Sequence, residues 1–65
     1  MAKFTLFLSQ FDKGDRIEVY MIGGHTVVGE FVSVDELGVL QIDVKTETSS
    51  RALQVYLDDL VAVSR

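Results

Sequence analysis

Between Ile17 and Val63 apolar side chains return at almost every second position, and no proline interrupts them. A two-residue period puts the apolar groups on one face of an extended chain and the polar groups on the other, so each segment must bury a face against another. That pattern predicts an all-β fold. Ile17, Val19 and Met21 alternate with Glu18 and Tyr20, and this first strand stops at Gly23 and Gly24, a pair suited to the positive φ angles of a tight hairpin. The second strand runs from about His25 to Asp35, long for a small fold, with Gly29 in its middle. A mid-strand glycine marks a bend or a close backbone approach. On either side of it the apolar phase changes, from Val27 and Phe31 to Val32 and Val34, as a strand feeding two sheet faces requires.

Asp35-Glu36-Leu37-Gly38 makes the next reversal, with Gly38 at its end. Leu40, Ile42 and Val44 supply the inward positions of strand three, and the polar run from Lys45 to Arg51 reads as one exposed loop. Leu53, Val55 and Leu57 line strand four, Asp58-Asp59 breaks it, and Leu60 to Val63 forms a short fifth strand. Ahead of the strands, Phe4, Phe7, Leu8 and Phe11 fall at the spacing of one helical face that ends near Gly14. A short N-terminal helix is expected; Phe4, Leu6 and Leu8 also alternate, so an extended arm competes with it.

A helix and five short, strongly bent strands within 65 residues suit a small SH3-like or OB-like barrel filling a single domain, 1–65. A chain of this size buries only roughly 60% of its unfolded surface, so its stability needs support. There is no cysteine for a disulfide, and one histidine cannot anchor a zinc site, which brings self-association forward. The last two strands are apolar, carry no proline or inward charge, and lie where a small open barrel has edges. Strand four of one copy pairing with strand five of the next would be a head-to-tail contact that can close into a ring. Leu53, Val55, Leu57, Leu60, Val61 and Val63 are the residues expected at that contact. An edge of an ordinary monomer is the alternative.

The N-terminal residues lack the apolar run and cleavage site of a signal peptide, and no stretch reaches the ~20 apolar residues of a membrane span, so a cytoplasmic protein is expected. Net charge is −4 with a pI near 4.6, which opposes tight nonspecific binding to nucleic acid.

The stretch from Val19 to Asp35 resembles the first signature motif of the Sm-like family, most closely its bacterial Hfq-type branch. An alternating strand, a glycine turn, an apolar residue two before a mid-strand glycine and an apolar-Asp pair opening the next loop carry the resemblance. It continues through Leu40 and resumes at Val55-Tyr56, where the second motif would begin. The resemblance implies a ring of six or seven subunits joined through strands four and five, with single-stranded RNA held around the pore by base stacking and by cations. Carried over position by position, the RNA-binding residues would be Asp35, Glu36 and Leu37 in the loop, with Tyr56, Leu57 and Asp58 in the second motif. The departures matter as much. Gly38 and Val39 stand near where an asparagine is expected, and aspartates stand where the family carries basic residues, so a ring would repeat a repulsive charge in every subunit.

Each candidate also has a structural explanation. Asp35 could shape a base pocket or close a turn through backbone amides. Asp58 and Asp59 could hold a cation or a basic partner, or form a solvated turn. Tyr56 could stack on a base or fill a subunit boundary. His25 has no partner for acid-base work, and no nucleophile with its base, phosphate-cradling loop or metal cluster is recognisable, so neither an enzyme nor a cofactor is expected. The functional expectation is an RNA-associated ring; a scaffold ring for protein partners that has lost its RNA surface, and a monomeric SH3-like adaptor, are the alternatives.

Overall fold

In the computed structural model, residues 4–65 are described, and they form one antiparallel sheet with a single turn of helix ahead of it. The elements are α1 (Thr5–Leu8), β1 (Arg16–Met21), β2 (His25–Val34), β3 (Val39–Lys45), β4 (Ser50–Tyr56), a 3₁₀ turn (Leu57–Asp59) and β5 (Leu60–Ser64). The strand order is β4-β3-β2-β1-β5. The expected five-stranded, mostly β architecture is therefore present, with three adjustments.

The first concerns closure. β4 and β5 occupy opposite edges and do not pair with each other, so the sheet does not close into the small barrel that is expected. Laid flat, the outer two of five strands would sit about 19 Å apart, four spacings of about 4.8 Å. Only three residues separate β4 from β5, and four chain steps reach at most about 14 Å. The sheet must therefore curl. The 3₁₀ turn spans the gap, with Leu57 N donating to Gly38 O at 2.8 Å on one side and Ile22 N donating to Asp59 O at 2.9 Å on the other. A turn ties this end together in place of a strand ladder.

The second concerns the bend. His25 to Glu30 of β2 pair with β1, whereas Glu30 to Val34 pair with β3, and Glu30 alone has partners on both sides. A Cβ on Gly29 would strike the backbone oxygen of Asp43 and lie 2.7 Å from Ile42 Cγ2, so the close approach of β3 requires glycine there. The phase change comes later than expected. The β2–β3 register shifts between Phe31 and Ser33, which makes Val32 the bulged residue and puts Val34, rather than Val32, against the core with Val27 and Phe31.

The third concerns element lengths. α1 has four residues, because Phe4 has a left-handed φ of 66° that begins the turn outside helical geometry, and Ser9 Oγ donates back to Leu6 O at the other end. Lys45 lies in β3, and Ser50 and Arg51 in β4, so the polar loop shrinks to residues 46–49; Leu57 leaves strand four for the 3₁₀ turn. The hairpin after β1 has three residues, Ile22, Gly23 and Gly24, and both glycines carry positive φ.

The core is a single cluster of Leu8, Phe11, Ile17, Val19, Phe31, Leu40, Ile42, Val55, Leu57 and Leu60. Burial of each Leu or Ile contributes about 1.5–3 kcal/mol before entropy is counted, which is why the alternating pattern fixes the faces of β1, β3 and β4. Phe11 joins α1 to this cluster. Its ring lies 5.6 Å from that of Phe31 and 5.4 Å from that of Phe7, and the Arg65 guanidinium sits 5.1 Å from its centroid.

Candidate functional site

At one end of the sheet the turn after β2 meets the turn after β4. Asp35 Oδ1 accepts hydrogen bonds from Leu37 N at 2.9 Å and Val39 N at 3.0 Å, an arrangement that folds the turn and holds Leu37 out at its tip, 87% exposed. Val39 then pairs with Tyr56, and the Gly38–Leu57 bond brings the 3₁₀ turn alongside. The loop and second-motif residues carried over from the resemblance, distant in sequence, are thus neighbours. Their surfaces differ. Leu37 and Tyr56 are exposed apolar groups, Glu36, Asp58 and Asp59 are exposed carboxylates, and Leu57 is a core residue with no surface to offer.

The edge strands present backbone more than side chains. Leu57 N points to β3, and alternation along an uninterrupted antiparallel ladder turns the N–H and C=O groups of Val55 and Leu53 the same way. Those of Tyr56, Gln54 and Ala52 must then point outward along the free edge of β4. Of the six residues expected at a subunit contact, Val55, Leu57 and Leu60 are buried in the chain's own core, Leu53 and Val63 are half-buried, and Val61 is exposed. Val61 is the extra residue where the β1–β5 register shifts opposite Tyr20 and Met21. Gly24 and Gly38 carry positive φ in their turns, and Gly29 lies where β3 crosses close to β2.

A second feature has no counterpart in the sequence-based expectations. Pairing between β2 and β3 stops at Glu30–Asp43, and the two strands diverge beyond it. The notch they leave is a cleft of about 340 Å³ lined by Gly14, Arg16, Val28, Gly29, Glu30, Asp43 and Lys45. Arg16, Glu30 and Asp43 are successive partners across β1, β2 and β3. Lys45 Nζ lies 3.1 Å from Glu30 Oε1, and Arg16 Nη2 lies 3.3 Å from Glu18 Oε1. The signal was in the hairpin register: a loop centred on Gly23 sets Arg16 opposite Glu30. The link from Glu30 to Asp43 needed the bulge at Val32, which the sequence does not announce.

Among the described residues no group of three His, Cys, Asp or Glu side chains could hold a metal ion, and no helix is long and apolar enough to cross a membrane. No family model, curated protein or solved structure matches the chain.

Proposed function

We propose that the protein is an Sm-like, ring-forming module of the cytoplasm that contacts single-stranded RNA, with copies joined by pairing β4 of one against β5 of the next. Strand order is the observation that carries this reading. β4 and β5 are the two free edges, each chain has one of each kind, and a head-to-tail contact between unlike edges closes into a ring of six or seven when the rotation allows. Backbone groups of Ala52, Gln54 and Tyr56 supply the bonds, so Val55, Leu57 and Leu60 need not leave the core. For RNA, Tyr56 and Leu37 offer exposed surface for unstacked bases beside the turn that Asp35 shapes.

A second reading, a scaffold ring for protein partners, is favoured by the carboxylates of Glu36, Asp58 and Asp59 exposed around Tyr56, because their field repels phosphate. Native mass measurement with short A-rich and U-rich RNA separates the possibilities. The expected result is a mass of several chains that reverts to one chain in Gln54→Pro, since proline removes an outward N–H from the edge and no bond from the β3 ladder. A wild-type mass of one chain would end the ring proposal. RNA bound at low ionic strength and released by salt supports the first reading, and no RNA bound even at low salt leaves the scaffold.

A further inference from the structure

We infer that the notch between β2 and β3 is a docking site for a basic segment of a protein partner, bound as an extended strand with its lysine or arginine on Asp43. The inference does not depend on ring formation or on RNA.

Two observations carry it. The first is an uncovered stretch of backbone inside the sheet. Phe31 N donates to Asp15 O at 2.7 Å and Phe31 O accepts from Gly14 N at 2.8 Å, so the backbone of Phe31 faces the β1 side. Alternation turns Glu30, Val28 and Thr26 toward the β3 side. Glu30 meets Asp43 there, but the ladder ends, and the backbone groups of Val28 and Thr26 face a flank that β3 has left. An extended peptide can lie along that flank as an added strand, the mode in which main-chain bonds give affinity and side-chain contacts give selectivity. The cleft volume is at the lower end of the roughly 300–1,000 Å³ typical of ligand sites, enough for a few residues.

The second is charge. Of the groups lining the notch, Arg16 is engaged by Glu18 and Lys45 by Glu30. Among the described residues, none makes an ion pair or a side-chain hydrogen bond with Asp43. The lining charges balance, two cations against two carboxylates, but Asp43 is the carboxylate without a partner, and it stands beside an apolar wall formed by Val28, which is 43% exposed. A single lysine or arginine flanked by β-branched residues complements it. An anion would meet the same unpaired carboxylate and would have to break both existing ion pairs.

The test uses the full chain, isotope-labelled for NMR, and a blocked pentapeptide alternating threonine and valine with one central arginine. Saturable shifts at Thr26, Val28, Gly29 and Asp43 are expected. Asp43→Asn, nearly isosteric and without a partner to lose, should weaken binding by about three- to fivefold, the size of one exposed charge contact. Replacing the peptide's arginine by glutamine should do the same. Lys45→Gln frees the Glu30 carboxylate and should tighten binding by a similar factor, a change in the opposite direction that loss of folding cannot imitate. No binding at millimolar peptide, shifts confined to β4 or β5, affinity indifferent to Asp43→Asn, or displacement of the peptide by a short U-rich RNA at the same residues would each overturn the inference.

Discussion

The two ends of the sheet handle the same difficulty in opposite ways. β2 changes partners at its middle, where Glu30 alone pairs with both β1 and β3. At the end holding residues 35–38 and 57–59, every chain reversal is fastened: Asp35 binds two amides, Gly38 binds Leu57, and Asp59 binds Ile22. At the other, β2 and β3 separate after Glu30–Asp43, and the gap is bordered by charged side chains whose contacts are exposed pairs. The lesson is that curvature introduced by one glycine and one bulge is absorbed unequally. The fastened end contributes stability, and the divergent end leaves an opening.

That contrast can be broken in steps. Leu57→Ala empties a fully buried site under the fastened end and should cost about 2–5 kcal/mol in chemical denaturation. A loss below 1 kcal/mol would mean that the 3₁₀ turn is not anchored through the core. Gly29→Val drives a side chain into β3 where the strands part and should cost about 1–3 kcal/mol or more, with the pairing of Glu30 and Asp43 lost first. Unchanged thermal stability would remove the close crossing. Asp35→Ala takes the acceptor from two amides that water can reach and should cost about 1 kcal/mol, read as faster exchange of the Leu37 and Val39 amides. Lys45→Gln breaks an ion pair whose side chains are 59% and 41% exposed, so its unfolding midpoint should move by no more than about 1 kcal/mol's worth. A larger change would give the divergent end a structural weight it lacks here.

Much of the strand plan was legible because burial is periodic. Ile17 and Val19, Leu40 and Ile42, and Val55 stand on the buried face where alternation puts them. The edge positions of the last two strands were legible too, since apolar ends without proline have few other places to go. What the sequence hid was non-local or degenerate. A bulge at Val32 costs one residue of register and has no residue type of its own. Lys45, Ser50 and Arg51 look like loop because the exposed end of a β hairpin has the composition of a loop. Phe4, Phe7, Leu8 and Phe11 fit a helical face, but Phe4 takes a left-handed angle and Ser9 turns its hydroxyl back to Leu6 O, so the helix ends after one turn and Phe11 is held by Phe31, with Phe7 against Phe11. For the candidate site, Asp35 and the glycine turns could be placed from local rules. The notch could not, because its charges come from three strands brought together by the bend.

Most of the sheet is a meander: β1 to β2, β2 to β3 and β3 to β4 all join neighbours in sequence. The remaining ladder joins residues 18–21 to residues 60–64, about two thirds of the chain apart. Closing that distance carries the largest entropy cost of any ladder, so the three hairpins should assemble first and β5 should dock last. During that interval β1 is as uncovered as β4, and a nascent copy can accept a foreign strand at a border it will later hide. Folding at low concentration, or with β5 supplied early, should therefore determine how much of the protein reaches its proper neighbour arrangement.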